Sequence, residues 1–465
     1  MEERKREKKK RRKNRREEEE QEEIIRGLLE RLSALSFDKL SDPRQVKKVT
    51  YPVDVLMKLL TLSLSLGAQS RREGERICEG LDKEIGKKLG LKGEDTPADN
   101  TLGDLLPRLL FSEVVELLVE AVFLEKNKGN LEPLYGMNVA AIDGKKIVTL
   151  HWLDLCRLAG VEPCEADPQK VVSKVKAKYP QLQVCQNEDN EPYAVLKVHD
   201  VTLVSSRASV PIYVRPIQGD TNEIGSMPAL LEEVYKYYGK RGLIDVIVAD
   251  AGNCSNRVAQ QIVNGYGWHY MLRIKENQPE LLQEAIKQLG SKPLTKESCQ
   301  EIDVHGGQIV TYYVFVYDLQ GEGWLAWKTA RQLVRIVRVA ESKTTGKISK
   351  GERYFVSDLA PDKYGPSWMG KFARSYWRCE NETHFVADTA FGEDVPKPQW
   401  TKNPTGLLVV AILRKIAMIF IAILRHIVQL GRDDQFATYR GLMDELSKLL
   451  CHCILRYYQR ATLNW

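Results

Sequence analysis

Val246-Ile247-Val248-Ala249-Asp250-Ala251-Gly252 is an apolar run closed by an acid and a turn signal, the pattern of a fully buried strand in an α/β sheet. Working outward, Pro228 to Tyr238 and Ser255 to Asn264 carry helical periodicity, and Trp268 to Ile274 reads as the next strand. Such alternation predicts a mixed sheet covered by helices. The same texture recurs in Ala140-Ala141-Ile142-Asp143-Gly144-Lys145, where an acid again follows an apolar run and Gly144 permits a sharp turn. A third acid, Glu380, lies in Trp377-Arg378-Cys379-Glu380-Asn381-Glu382, within a helix predicted from Pro366 through Phe385. Carboxylates on strand ends are held rigidly. Hard divalent ions favour them, and two ions about 3.5–4 Å apart stabilise both the attacking and the leaving oxygen of an in-line displacement at a phosphodiester. Helical geometry alone leaves Glu382 and Asp388 in competition with Glu380. His384 is one turn beyond Glu380, placed either to orient a phosphate or to pack against the core.

The bulk properties permit this chemistry. With 465 residues and 43% apolar composition, the chain is long enough for roughly two to four domains. Its net charge of +6 is a weak pointer to a polyanionic partner. Nine cysteines without a Cys-x-x-Cys pair indicate a reducing compartment, and Cys451-His452-Cys453 lacks the second ligand pair of a zinc finger. Gly406 to Leu424 is strongly apolar, but Arg414 and Lys415 interrupt it, so a buried core helix is expected rather than a membrane span.

The predicted organisation begins with a charged arm over residues 1–40, whose basic stretch Arg4 to Arg16 is followed by a nearly cancelling acidic run, Glu17 to Glu23. A helical domain over 41–135 is a candidate for DNA binding, with periodic stretches at Val53 to Leu66 and Leu102 to Phe123. An α/β core over 136–277 and 366–430 is split by a β-rich insertion over 278–365, in which helices largely vanish. A helical tail spans 431–465. There is no internal repeat.

Asp143-Gly144-Lys145, Thr221-Asn222-Glu223-Ile224 with Pro228, Ala249-Asp250-Ala251, Lys275-Glu276-Asn277-Gln278-Pro279, His305-Gly306, and Glu380-Asn381 with His384 and Phe391-Gly392-Glu393-Asp394 follow one another in a specific order. In that order the chain resembles DDE transposases of bacterial insertion sequences, of the H-repeat-associated type, over roughly residues 43–430. The resemblance implies a ribonuclease H-like core, a metal-binding catalytic triad of Asp143, Asp250 and Glu380, and Mg2+ as cofactor with Mn2+ able to substitute. It implies cleavage at transposon ends and transfer of the 3′ ends to target DNA, double-stranded DNA as partner, at least a homodimer when two ends are paired, no membrane, and a nucleoid-associated cytoplasmic location. Alternatives are a transposase-derived DNA binder that does not cut, and a host nuclease of the same core without strand transfer. Ala387 stands where many relatives carry a phosphate-binding Lys, which shifts that role to Lys145, Lys275 or Arg374. Asn277 and His384 complete the expected DNA contacts, with Trp327 or Trp324 as an aromatic for stacking on a base.

Overall fold

In a computed structural model, the described residues are 19, 21–45, 47, 49–92, 96–320, 326–393, 400–429 and 438–451. The basic arm, Trp324, Asp394, His452 and Cys453 lie outside them. Helix α1 spans residues 21–34, followed by α2 (Val53–Ser65), α3 (Arg71–Gly80), α4 (Lys83–Leu89), α5 (Asp99–Leu105) and α6 (Phe111–Asn127). Then come β1 (Val139–Leu150), α7 (Trp152–Ala159), α8 (Pro168–Lys178), β2 (Leu182–Gln186), β3 (Pro192–Leu203), β4 (Val210–Pro216), α9 (Glu223–Tyr238), β5 (Val246–Ala249), α10 (Asn256–Gln260) and β6 (His269–Ile274). The remainder is α11 (Pro279–Leu289), β7 (Cys299–His305), β8 (Gln308–Asp318), β9 (Gln332–Ser342), β10 (Ile348–Ser357), α12 (Pro366–Arg378), α13 (Phe385–Thr389), α14 (Pro404–Gln429) and α15 (Tyr439–Cys451).

All ten strands belong to one mixed sheet flanked by helices, ordered β2-β3-β1-β5-β6-β10-β9-β8-β7, with β4 on the same edge of β3 as β2. Strands β1, β5 and β6 run parallel, while β3 is antiparallel to β1 and β4 to β3. This half has the ribonuclease H-like arrangement. Beyond β6 the strands β10, β9, β8 and β7 continue antiparallel, so the β-rich segment lengthens the same sheet.

Several local expectations are corrected. Asp143 does not end its strand: β1 runs on to Leu150, because Lys145, Ile147, Val148 and Leu150 are all buried as the strand pairs with β3. The periodic stretch Leu102 to Phe123 is two helices, since Pro107 offers no N–H and the chain passes through a short 3-10 turn at Leu106–Arg108. The β-rich interval contains a full helix, α11, opened by Pro279 at its first turn, and a strand, β7, that its polar composition conceals.

Helix α14 is long and apolar enough by composition to cross a membrane, yet its entire apolar window is buried inside the protein, against α2, α6, α15 and β4. Its two cations are paired there. Lys415, fully buried, meets Asp200 on β3 and lies 3.7 Å from Glu393, while Arg414 lies 3.5 Å from the other Glu393 oxygen. Burial opposes these charges, but the partners outweigh it. The Asp200 carboxyl is held down to about 2 by Lys415 and His384, and Glu393 falls well below the usual carboxylate range beside Lys145, Lys415 and Arg414.

Lys415→Met leaves the fully buried Asp200 carboxylate without its ammonium and is expected to cost about 3–5 kcal/mol, read from the denaturant midpoint. Lys415→Met/Asp200→Asn is expected to recover part of that loss. Because the folded-state carboxyls are depressed, their stabilisation is complete above the ordinary carboxylate range, about pH 4, and disappears as pH falls toward 2. An unchanged midpoint in Lys415→Met would show that the pair contributes nothing.

Candidate active site

Register brings the first two acids together. Ile142 pairs with Ala249 across the parallel β1–β5 ladder, so Asp143 and Asp250 are the next residues on neighbouring strands, about 4.8 Å apart in the backbone. Val139 and Ala141, like Val246 and Val248, pack under α12, and strand alternation sends Asp143 and Asp250 to that same face. Helix α12 delivers the third acid. At its end the backbone widens into a π turn, Cys379–His384, and Glu380 sits in the first turn of it. Tyr376, one turn earlier, reports the gathering: burial and then Asp143, Asp250 and Glu380 push its phenol far up. Glu380 itself is raised by burial and by Asp143, against the opposing pull of Arg353 and His384. Glu382 is occupied by Arg378 (2.8 Å) and Ser209 (2.7 Å), and Asp388 by Lys145 (2.8 Å); Glu380 makes no ion pair with a described residue.

A fourth acid escapes reading along the sequence. Asn222 caps α9 by accepting from Gly225 N–H at 2.9 Å, which turns Glu223 toward β1 in the first turn of the helix. Its carboxyl lies over Gly144, where any Cβ would collide with it. At Gly252 a Cβ would stand 3.2 Å from Asp250 Oδ1 and 3.4 Å from Glu223 Oε2. Burial, Asp250 and Asp143 raise the Glu223 carboxyl. The start of α9 is tied down by His199, which is buried, held neutral by burial at about 4, and within 3.0 Å of the Glu223 carbonyl and 2.6 Å of Ser226 Oγ. Thr221-Asn222-Glu223-Ile224 had marked the stretch, but only the fold shows that its acid faces the other two.

The remaining candidates are distributed unequally. His384 lies between two carboxylates, Nδ1 at 3.4 Å from Asp143 and Nε2 at 3.6 Å from Asp200. Burial works against its charge, but hydrogen bonds to those acids push it up to about 12, so the imidazolium offsets part of the negative charge. Lys145 is turned inward, its ammonium 2.6 Å from Glu393 and 2.8 Å from Asp388, which removes it from any outside phosphate. Trp327 is buried in the core at 7% exposure, so no base can stack on it. Arg374 is paired with Glu301 and lies 5.5 Å over the Tyr312 ring. Lys275 is exposed just beyond β6; Asn277 donates 2.7 Å to the Ala251 carbonyl, bracing the loop after Asp250.

As donors, four carboxylates suit a hard divalent cation, and the two glycines keep the space around them clear. Among the described residues, however, no three Asp, Glu, His or Cys side chains converge closely enough to hold an ion as they stand.

A family model described as "Transposase DDE domain" matches residues 179–412, which include Glu223, Asp250 and Glu380 and leave Asp143 outside. No curated protein matches the chain in sequence. Among solved structures, a piggyBac transposase synaptic complex with hairpin DNA aligns at 12% identity and a TM-score of 0.36, over 92% of this chain and 84% of that one.

Glu223→Gln removes one member of a self-repelling group whose raised carboxyls penalise the folded state above their titration range. In EDTA at neutral pH it is expected to melt higher than wild type. In millimolar Mn2+ it is expected to gain less stabilisation. A variant that melts lower in EDTA would place Glu223 outside the repelling group.

Proposed function

Because the chain belongs to the transposase DDE domain family, we propose that it cuts DNA at the ends of a mobile element and joins the freed 3′ ends to target DNA, both at the acidic site. The observation that carries this reading is the pairing of Ile142 with Ala249, which sets Asp143 beside Asp250 on the face that α12 covers and from which Glu380 projects.

The family generally uses divalent metals, and Mg2+, with Mn2+ as substitute, suits this all-oxygen donor set. Asp143, Asp250 and Glu380 would hold the ions. Bound there, the ions would supply charge stabilisation to the attacking and leaving oxygens of the phosphodiester. The chain's own residues do the positioning. Asp143 is paired with Asp200 in the β1–β3 ladder, one residue beyond the end of the β1–β5 ladder, and its carboxylate accepts from the Gly144 N–H at 2.9 Å. His384 holds a proton between Asp143 and Asp200 and orients the Asp143 carboxylate from behind. Asn277 and Asn253 brace the loop after Asp250, the latter at 3.4 Å from Oδ1. Glu380 sits on a π turn, whose looser backbone lets its carboxylate adjust to the substrate. Pairing two element ends requires a homodimer or larger assembly on DNA.

The test is nicking and strand transfer on duplex carrying the sequences that flank the coding region, in Mg2+ or Mn2+. Asp143→Asn, Asp250→Asn and Glu380→Gln are each expected to abolish both products while retaining the wild-type gel shift in EDTA. Nicking by Asp143→Asn at the wild-type rate would overturn the mechanism. Cut ends without joint products would indicate a nuclease, and a salt-sensitive shift without nicks would indicate a binder.

A further inference from the structure

Beyond β6 the face that carries the acids changes sign. Parity along each strand places Arg273 after Met271 on β6, Arg353 before Phe355 on β10, and Arg338 after Ile336 on β9, on the same face as Asp143 and Asp250. Each step crosses one strand, about 4.8 Å, and drifts along the sheet, so the row leaves Asp250 diagonally. Tyr312 on β8 is the register partner of Arg338 and ends the row.

These guanidiniums are not neutralised in ion pairs, although Arg273 and Arg353 lie near enough to Glu380 to act on its carboxyl. Among the described residues none of the three forms an ion pair, and the Arg273 Nε is buried without any partner. Arg353 lies over the Trp377 indole at 4.3 Å, and Trp377 in turn lies 6.2 Å from the Tyr312 ring. Arg338 has only a 3.5 Å contact to Gln308. Compare Arg335 on the opposite face of β9: it is fully engaged with Glu352 and the Leu289 and Lys292 carbonyls. Structural arginines in this sheet are therefore paired, and this row is not.

We infer that Arg273, Arg353 and Arg338, backed by Trp377 and Tyr312, form a track for the phosphodiester backbone of the DNA strand entering the acidic site. The inference rests on the proposed DNA-cutting role and adds to it the path of the substrate. A polyanion supplies the missing counter-charge, and planar guanidiniums, that of Arg353 held over an indole, present paired N–H donors to successive phosphates. The row begins one strand from Asp250, so a backbone lying on it delivers its next phosphate to the carboxylates. Base identity plays no part in such contacts.

The experiment measures binding of the full chain to a labelled duplex oligonucleotide of arbitrary sequence, in EDTA, across a salt series. Arg353→Ala and Arg338→Ala are each expected to lower the slope of log K against log salt by about 1 and to weaken binding severalfold. Arg353→Lys, which keeps the charge, is expected to retain the slope. Lys174→Ala on α8, an exposed cation on another part of the molecule, is the control. The basic N-terminal stretch contributes equally to every variant and cancels in the comparison. Unchanged slopes in both Ala variants, with wild-type melting, would overturn the track; should Arg353→Ala melt early, the more exposed-lying Arg338→Ala decides alone. Because binding is read without metal, a wild type that binds through this row but never nicks DNA would sink the catalytic reading and leave the track standing. Normal metal-dependent nicking with unchanged slopes would do the reverse.

Discussion

The Lys415 ammonium against the Asp200 carboxylate, both fully buried, is the contact on which the rest of the arrangement depends. Taking such a pair from water costs several kcal/mol per ion before attraction returns any of it. The pair fixes α14 against β3 at one point along an otherwise featureless apolar helix, where hydrophobic packing alone tolerates sliding or rotation. Asp200 is also the ladder partner of Asp143, and His384 spans the two. Any shift of α14 would therefore be felt at the acid on β1. Lys145, two residue pairs further, closes the circuit through Glu393 and Asp388. Lys145, His384, Arg414 and Lys415 face Asp143, Asp200, Asp388 and Glu393, so the network is balanced in charge, and Asp143 and Asp388 are its more exposed members.

That network also explains what was legible from residues alone. Alternation and apolar runs gave the strands bearing Asp143 and Asp250, since burial on both faces leaves a strong signal. Arg414 and Lys415 argued correctly for a buried helix, because two cations in an apolar run demand partners, but the partners lie more than 200 residues away in the chain for Asp200 and cannot be read locally. Lys145 looked available for a phosphate for the same reason. Its lysine chemistry was visible, whereas its enclosure by Glu393 is a tertiary fact. Trp327 shows the ordinary outcome for an aromatic in a β-rich stretch, which is core packing.

Glu223 was hidden by a different mechanism. Its position in a helix N-terminus reads as a helpful charge near the dipole, and nothing local reveals that Gly144 on β1 has left room for it. Gly144 invited a turn; within a continuing strand its missing Cβ serves the side chain of another element. The glycine is informative only once its neighbour is known. The continuous sheet adds a similar lesson for the β-rich segment, which is hydrogen-bonded to β6 through β10 and so holds its arginines at a fixed offset from the acids.

The site divides into rigid and adjustable halves. Asp143 lies within the β1–β3 ladder and Asp250 immediately follows β5, whose Ala249 is paired on both sides, so the backbone beneath both acids is held by ladder hydrogen bonds. Glu380 and Glu223 occupy a π turn and the first turn of a helix, where a side-chain or backbone adjustment disturbs fewer bonds. Both have raised carboxyls, so each experiences the others' charge and burial as a penalty. The four carboxylates repel one another, an effect that His384 offsets at Asp143 and that Arg353, His384 and Arg273 oppose at Glu380. A divalent cation bound there would reverse the sign of that interaction. On the proposed reading the sheet would set where the reaction occurs, and the two glutamates would complete the site.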